Sequence, residues 1–194
     1  MRDEPFAAGV HELCELFAGA GVQNIVAPSE YRGGLDDPLL HFYERFLAAY
    51  DPALRGLRGV YCTPQPVVRF IVRAVGDVLA DAFGITPGGR GGEVVVLDPA
   101  CGTAAFLHEY AGAVRARFIE RDDPVAWRSY VRDVLLPGLA GFEILLVPFV
   151  VAHLKLVLTL RGADLAGRTR ERFGYELGPQ DRLRVTLANA LEAG

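Results

Sequence analysis

Apolar positions along this chain recur with two different periods, and the switch between them outlines its architecture. From Asp37 the pattern is helical. Asp37 is placed to cap a helix whose first residue is Pro38, and Leu39, Leu40, Tyr43, Phe46, Leu47 and Tyr50 form one apolar stripe, ended by Asp51-Pro52. A second helix follows, with Thr63 as its cap and Pro64 at its first position. Val67, Val68, Ile71, Val72, Val75, Val78 and Leu79 are expected to supply its buried face. The stretch Thr86-Pro-Gly-Gly-Arg-Gly-Gly92 then reads as a flexible connector.

Beyond it, Glu93-Val-Val-Val-Leu-Asp98 is a nearly unbroken apolar run closing on an acid, the pattern of a buried parallel strand. A small-residue turn, Pro99-Ala-Cys-Gly102, leads into a helix expected from about Thr103 to Glu120, with a further helical piece over Pro124–Leu136. Leu139-Ala-Gly-Phe-Glu143 reads as a second strand followed by a long apolar helix, Arg161 to Gln180 as a charged loop, and Leu183-Arg-Val-Thr-Leu187 as a third strand. Strands alternating with helices predict an α/β fold with a parallel sheet. Three parts are expected: residues 1–34, which carry no clear pattern beyond a short helix near His11–Ala18; a helical preface, 35–85; and the sheet-bearing part, 93–194.

Composition narrows the classes. The chain has 194 residues, 51% of them hydrophobic and 23% charged, enough for a folded core and unlike a disordered segment. A net charge of −4 and a pI near 5.6 leave no electrostatic footprint for nucleic acid. Cys14, Cys62 and Cys101 lie far apart, without a CxxC pair, so no disulfide framework or zinc site is expected. A reducing cytoplasm fits that usage, and Met1-Arg-Asp-Glu-Pro5 lacks the order of a signal peptide. Phe142 to Leu160 is nearly all apolar but carries Glu143, Pro148, His153 and Lys155, and reads as a strand and buried helix, not a membrane span.

The candidate chemistry gathers at the carboxyl ends of the first two strands, where open α/β sheets bind ligands. Asp98 can serve as a helix N-cap or as an anion facing a cationic ligand. Gly102 allows positive φ and close backbone approach, and the helix start after it offers N–H groups to a carboxylate or phosphate. Glu143 is either a surface acid beside a helix start or a partner for ribose hydroxyls. The spacing from Asp98 to Glu143 exceeds the roughly 20 residues of the dinucleotide fingerprint, and the GxGxxG pattern is absent. Tyr61-Cys-Thr-Pro64 can be a plain helix cap with a packed Tyr or a ligand contact. His108 and His153 fall in helical stretches without partners and read as structural, and Cys101 as a small turn residue.

In order, four segments resemble the N6-adenine DNA methyltransferases of restriction–modification systems, most closely the single-polypeptide enzymes that join helicase, methyltransferase and target-recognition regions. They are Asp37-Pro-Leu-Leu-His-Phe-Tyr-Glu44 with Phe46-Leu-Ala-Ala-Tyr-Asp-Pro52, and Arg58-Gly-Val-Tyr-Cys-Thr-Pro-Gln-Pro-Val-Val68. Val96-Leu-Asp-Pro-Ala-Cys-Gly-Thr103 follows, then Gly141-Phe-Glu-Ile-Leu145 with Ala152-His-Leu-Lys-Leu156. The resemblance covers roughly Asp37 to Leu191 and implies a partial Rossmann-like methyltransferase sheet preceded by a helical segment.

It further implies S-adenosylmethionine as cofactor, with Tyr61, Thr63, Asp98, Ala100 and Gly102 lining its methionine end. Glu143 would bind the ribose hydroxyls and Asn189 the adenine ring. No metal is implied. Two departures stand out. Ala104 occupies a place where the family usually has Gly, and its methyl would crowd the cofactor if the backbone there needs positive φ. The catalytic Asn-Pro-Pro-Tyr or Asp-Pro-Pro-Tyr motif, which holds the flipped adenine, is missing, and no Pro-Pro pair occurs.

The expectation is therefore a cofactor-binding part of a site-specific adenine methyltransferase, truncated before that motif, with no catalytic residues of its own and inactive alone. DNA would be held by regions outside this chain, with no membrane partner. Three strands of a seven-stranded sheet would leave an apolar edge open, so poor solubility or a partner chain completing the sheet is expected. The alternative is a non-catalytic interaction subunit or relic that pairs with such a chain. A methyltransferase acting on RNA or protein is disfavoured by the helical preface with Tyr61-Cys-Thr-Pro64.

Overall fold

The computed structural model describes residues 63–89 and 94–192. The stripe from Leu39 to Tyr50, the N-terminal segment, Tyr61 and Glu93 lie outside the described residues. Helix α1 spans Gln65–Phe83. Its N-cap is Pro64, and no side chain caps it, so Thr63 does not do so as the sequence suggested. The Pro64 carbonyl instead accepts from the Val67 and Val68 N–H groups at 2.9 and 3.1 Å, starting the helix one residue late.

The predicted buried face of α1 is a second correction. Val68 is fully buried, whereas Val67, Ile71, Val75 and Val78 are exposed, as is Phe70. The helix is apolar on two sides, and α2 covers the one carrying Val68. Gln65 Nε2 also reaches α2, donating to Glu109 Oε2 at 2.7 Å. The start of the glycine-rich connector is packed, not loose. Pro87 and Gly88 are buried, and Gly88, at φ +71°, lies where a Cβ would stand 2.9 Å from Val114.

Strand β1 (Val96–Asp98) is shorter than predicted. Helix α2 (Ala105–Glu120) starts two residues late, because Gly102 and Ala104 both adopt positive φ. Its buried residues Leu107, Ala111, Val114 and Phe118 recur at helical spacing and form the spine of the core. Helix α3 (Pro124–Tyr130) is capped by Asp123, whose side chain accepts from the Ala126 N–H at 3.0 Å. A π-helical turn, Val131–Leu135, and a last turn, Leu136–Gly138, continue it. Pro137 explains the wider turn: in a regular helix its ring would collide with the Asp133 carbonyl, and one extra residue per turn moves that carbonyl aside.

Strand β2 (Leu139–Glu143) has the predicted bounds. Helix α4 (Leu146–Leu160) follows, and its 15 residues reach about 22 Å, short of a bilayer core. Among the described residues no helix is long and apolar enough to cross a membrane. The charged stretch expected to be a loop holds helix α5 (Gly167–Phe173), which Phe173 anchors in the core at 2% exposure. Strand β3 is Arg184–Leu187.

The strands form one parallel sheet in the order β1-β2-β3, with Val96 beside Leu139, Asp98 beside Gly141, Gly141 beside Val185 and Glu143 beside Leu187. Leu139, Gly141, Glu143 and Val185 are buried on the face carrying the helices. Leu97, on the opposite face of the edge strand β1, is 58% exposed, and Val95 just before the strand is 75% exposed. Among the described residues β1 is an outer strand of the sheet. The two histidines among the described residues have partners: His108 Nδ1 lies 2.6 Å from Thr159 Oγ1, and His153 Nδ1 lies 3.1 Å from the Phe149 carbonyl. Buried Arg115 ties α2 to the end of α4, donating to the Thr159 carbonyl and to Asp164.

Candidate functional site

Asp98 ends β1 and Glu143 ends the neighbouring strand β2, so parallel pairing alone brings two acids to one end of the sheet. Between β1 and α2 the chain makes a tight turn, 98–104. Three features seat that turn on β2. Gly141 has no side chain, and a Cβ there would stand 3.0 Å from Cys101 Sγ and 3.1 Å from Leu107 Cδ1. The Cys101 N–H donates to the Phe142 carbonyl at 2.9 Å. The Gly102 N–H donates to Glu143 Oε2 at 2.9 Å.

The electrostatics follow from this packing. Burial pushes the Asp98 carboxyl above its usual range, partly offset by the Ala100 N–H that donates to its Oδ1 at 3.2 Å. Asp98 therefore does not cap α2; its bond lies within the turn. Burial, and then the negative charges of Asp98 and Glu143, push the Cys101 thiol up to about 12. That thiol stays protonated at neutral pH and is no nucleophile. A half-buried carboxylate beside a second acid favours a cationic partner.

Gly102, at φ +55°, has no heavy atom within 4 Å of where its Cβ would be, so the turn is open on that side. Ala104 adopts φ +60° but is completely buried among core residues that include Leu107 and Cys101. Its methyl is buried against the core. No side chain caps α2, which leaves the N–H groups of its first turn for an anion.

The remaining predicted site residues are less concentrated. Ala100 is exposed in the turn. Thr63 is half-buried ahead of α1, which packs on α2, and Tyr61 is outside the described residues. Asn189 lies just past β3, near Glu143, whose carbonyl accepts from the Ala188 N–H at 2.9 Å. Its side chain is engaged locally: Oδ1 accepts from the Leu191 N–H at 3.1 Å and Nδ2 donates to Glu192 at 2.9 Å. Sequence reasoning missed Gly141 and the Leu145 N–H, which donates to Glu143 Oε1 at 2.8 Å. A glycine inside a strand was the available signal for the first. Among the described residues no group of three His, Cys, Asp or Glu side chains is placed to hold a metal.

A parallel α/β sheet with this acid-ended turn defines a partial Rossmann-like methyltransferase fold. The chain belongs to the N-6 DNA methylase family, whose model matches residues 35–164. No curated protein matches it. Among solved structures it resembles a chain of the cryo-EM DrdV–DNA complex at 25% identity and TM-score 0.56, over 79% of this chain and 13% of that one. It also resembles a nuclease-deletion mutant of the Type ISP restriction-modification enzyme LlaGI in complex with a DNA substrate mimic. That likeness has 21% identity and TM-score 0.57, over 78% of this chain and 10% of that one. The ATP-dependent Type ISP enzyme LlaBIII bound to DNA gives 23% identity and TM-score 0.50, over 66% and 8%. The chain thus spans roughly a tenth of the length of these proteins.

Proposed function

We propose that this chain is the S-adenosylmethionine-binding part of an adenine-specific N6 DNA methyltransferase from a restriction–modification system, working in the cytoplasm. The observation that carries the reading is the meeting of Asp98, the open Gly102 turn and Glu143 at the carboxyl ends of two adjacent parallel strands. The residues suit the cofactor. Asp98 supplies negative charge for its ammonium group, and the uncapped start of α2 supplies N–H groups for its carboxylate. Glu143 and Asn189 are the candidates for the ribose and adenine ends, and Tyr61, Thr63 and Ala100 for the methionine end. When bound, S-adenosylmethionine supplies a methyl group on a sulfonium centre.

The contribution of this chain is to bind and orient. Methylation of a flipped adenine requires an Asn/Asp-Pro-Pro-Tyr segment, which these 194 residues do not contain. DNA contacts are assigned to regions beyond this chain; the solved relatives named above are themselves DNA complexes. Calorimetric titration with S-adenosylmethionine tests the binding claim, and a folded protein that gives no saturable heat refutes it.

Asp98→Asn separates binding from stability. A carboxyl whose pKa is raised on folding holds its proton more tightly in the folded chain. Its ionisation costs stability, a cost that sets in as pH rises past 3.8 and is complete above the raised value. Asp98→Asn is expected to raise the thermal midpoint at pH 7 and to flatten its pH dependence, while weakening S-adenosylmethionine binding roughly 10- to 100-fold. Unchanged affinity would remove Asp98 from the site.

A second reading is supported by the exposed apolar side chains. Val67, Phe70, Ile71, Val75 and Val78 line one side of α1, and Val95 and Leu97 lie at the outer strand β1. They favour an interaction subunit whose partner completes the sheet. Light scattering discriminates: a stable, dispersed monomer counts against this reading.

A further inference from the structure

Glu143 is 8% exposed, and both of its carboxylate oxygens are engaged by backbone. Oε2 accepts from the Gly102 N–H at 2.9 Å, 41 residues away in sequence, and Oε1 accepts from the Leu145 N–H at 2.8 Å. These donors belong to different elements: Gly102 to the turn between β1 and α2, Leu145 to the N-cap of α4. Besides the bond from Gly102, the turn is held to β2 by the N–H of Cys101, one residue earlier, which donates to the Phe142 carbonyl at 2.9 Å. It holds two positive-φ residues, Gly102 and Ala104, and a left-handed alanine persists only where its surroundings impose it. Within the turn, the Ala104 N–H bonds to the Cys101 carbonyl and the Ala100 N–H to Asp98. Neither bond ties Gly102 to the sheet.

We propose that Glu143 is a positioning residue, whose carboxylate clamps the Gly102 turn and the start of α4 to the tip of β2 independently of any ligand. This goes beyond a ribose contact, which would use the same carboxylate but would not set the shape of the methionine end. A carboxylate is needed for the clamp. Glutamine has one acceptor oxygen, and its amino group would face the second N–H, so it serves only one of the two donors. The effect on cofactor affinity rests on the S-adenosylmethionine reading; the clamp itself does not.

Amide hydrogen exchange on the full chain, followed residue by residue by NMR, tests it. In the wild type Gly102 and Leu145 should exchange slowly, although neither is part of a strand ladder or a helix interior. Glu143→Gln should speed exchange at one or both roughly tenfold, with α3 and the second half of α2 unchanged. S-adenosylmethionine affinity should fall in the same variant. Fast exchange at both amides in the wild type overturns the clamp, whether or not the variant folds. So does a Glu143→Gln protein that loses affinity while exchange stays as in the wild type. If the wild type binds no S-adenosylmethionine but both amides respond to the substitution, the clamp stands and the cofactor reading fails.

Discussion

Trp127→Ala is expected to lower the unfolding free energy by about 3–5 kcal/mol, the largest loss of any single substitution considered for this chain. The indole is 1% exposed and packs on Phe118 with ring centroids 5.6 Å apart. Its Nε1 donates to the Phe173 carbonyl at 2.7 Å, so one side chain joins α3, α2 and α5. Truncation leaves a cavity between three helices and a buried carbonyl without its donor. Trp127→Phe keeps much of the volume and should lose less, about 1–3 kcal/mol for the unsatisfied carbonyl. Trp127 is the only tryptophan, so denaturation must be followed by far-ultraviolet circular dichroism, not intrinsic fluorescence. A loss below about 1 kcal/mol for the alanine variant would show that α5 does not depend on this contact.

Gly141→Val should damage stability and site together. A Cβ at position 141 stands 3.0 Å from Cys101 Sγ, 3.1 Å from Cys101 Cβ and 3.1 Å from Leu107 Cδ1, before either γ-methyl is counted. Two of these contacts belong to the turn itself, so the strain is relieved by lifting the turn from β2. That movement stretches the bonds from Cys101 to Phe142 and from Gly102 to Glu143. The expected stability cost is about 1–3 kcal/mol. Saturable S-adenosylmethionine binding should be lost in protein that circular dichroism shows to be folded. Gly141→Ala should be milder, because Leu107 and Cys101 need give only a few tenths of an ångström. A valine variant with wild-type stability and binding would contradict the close approach of turn and strand.

Both substitutions act where residues distant in sequence meet, and that explains which features could be read beforehand. Leu139–Glu143 was readable to the residue because an apolar run ends in an acid and a helix start. The parallel direction of the strands followed from strand–helix alternation, and so did the placement of Asp98 and Glu143 at one end of the sheet; the strand order did not. Helix α5 was hidden by its charges: Arg168, Arg170, Glu171 and Arg172 mask the single anchor, Phe173. Periodicity also misjudged α1. It reports which positions are apolar, but a helix apolar on two sides needs its neighbours to decide which side is covered. At Ala104 the positive φ depends on local turn chemistry, but the direction of its methyl depends on how the turn rests against the core.

Local pattern and composition thus settled the α/β class, the parallel sheet and the acid-ended turn, because these depend on period, turn chemistry and side-chain burial along short stretches. Contacts between separate elements settled the rest. Glu143 bonds to an amide 41 residues away, Gly141 makes room for Cys101, and Trp127 reaches the Phe173 carbonyl. Each of these contacts depends on distances of a few ångströms between separate elements, and no spacing along a single chain encodes such a distance.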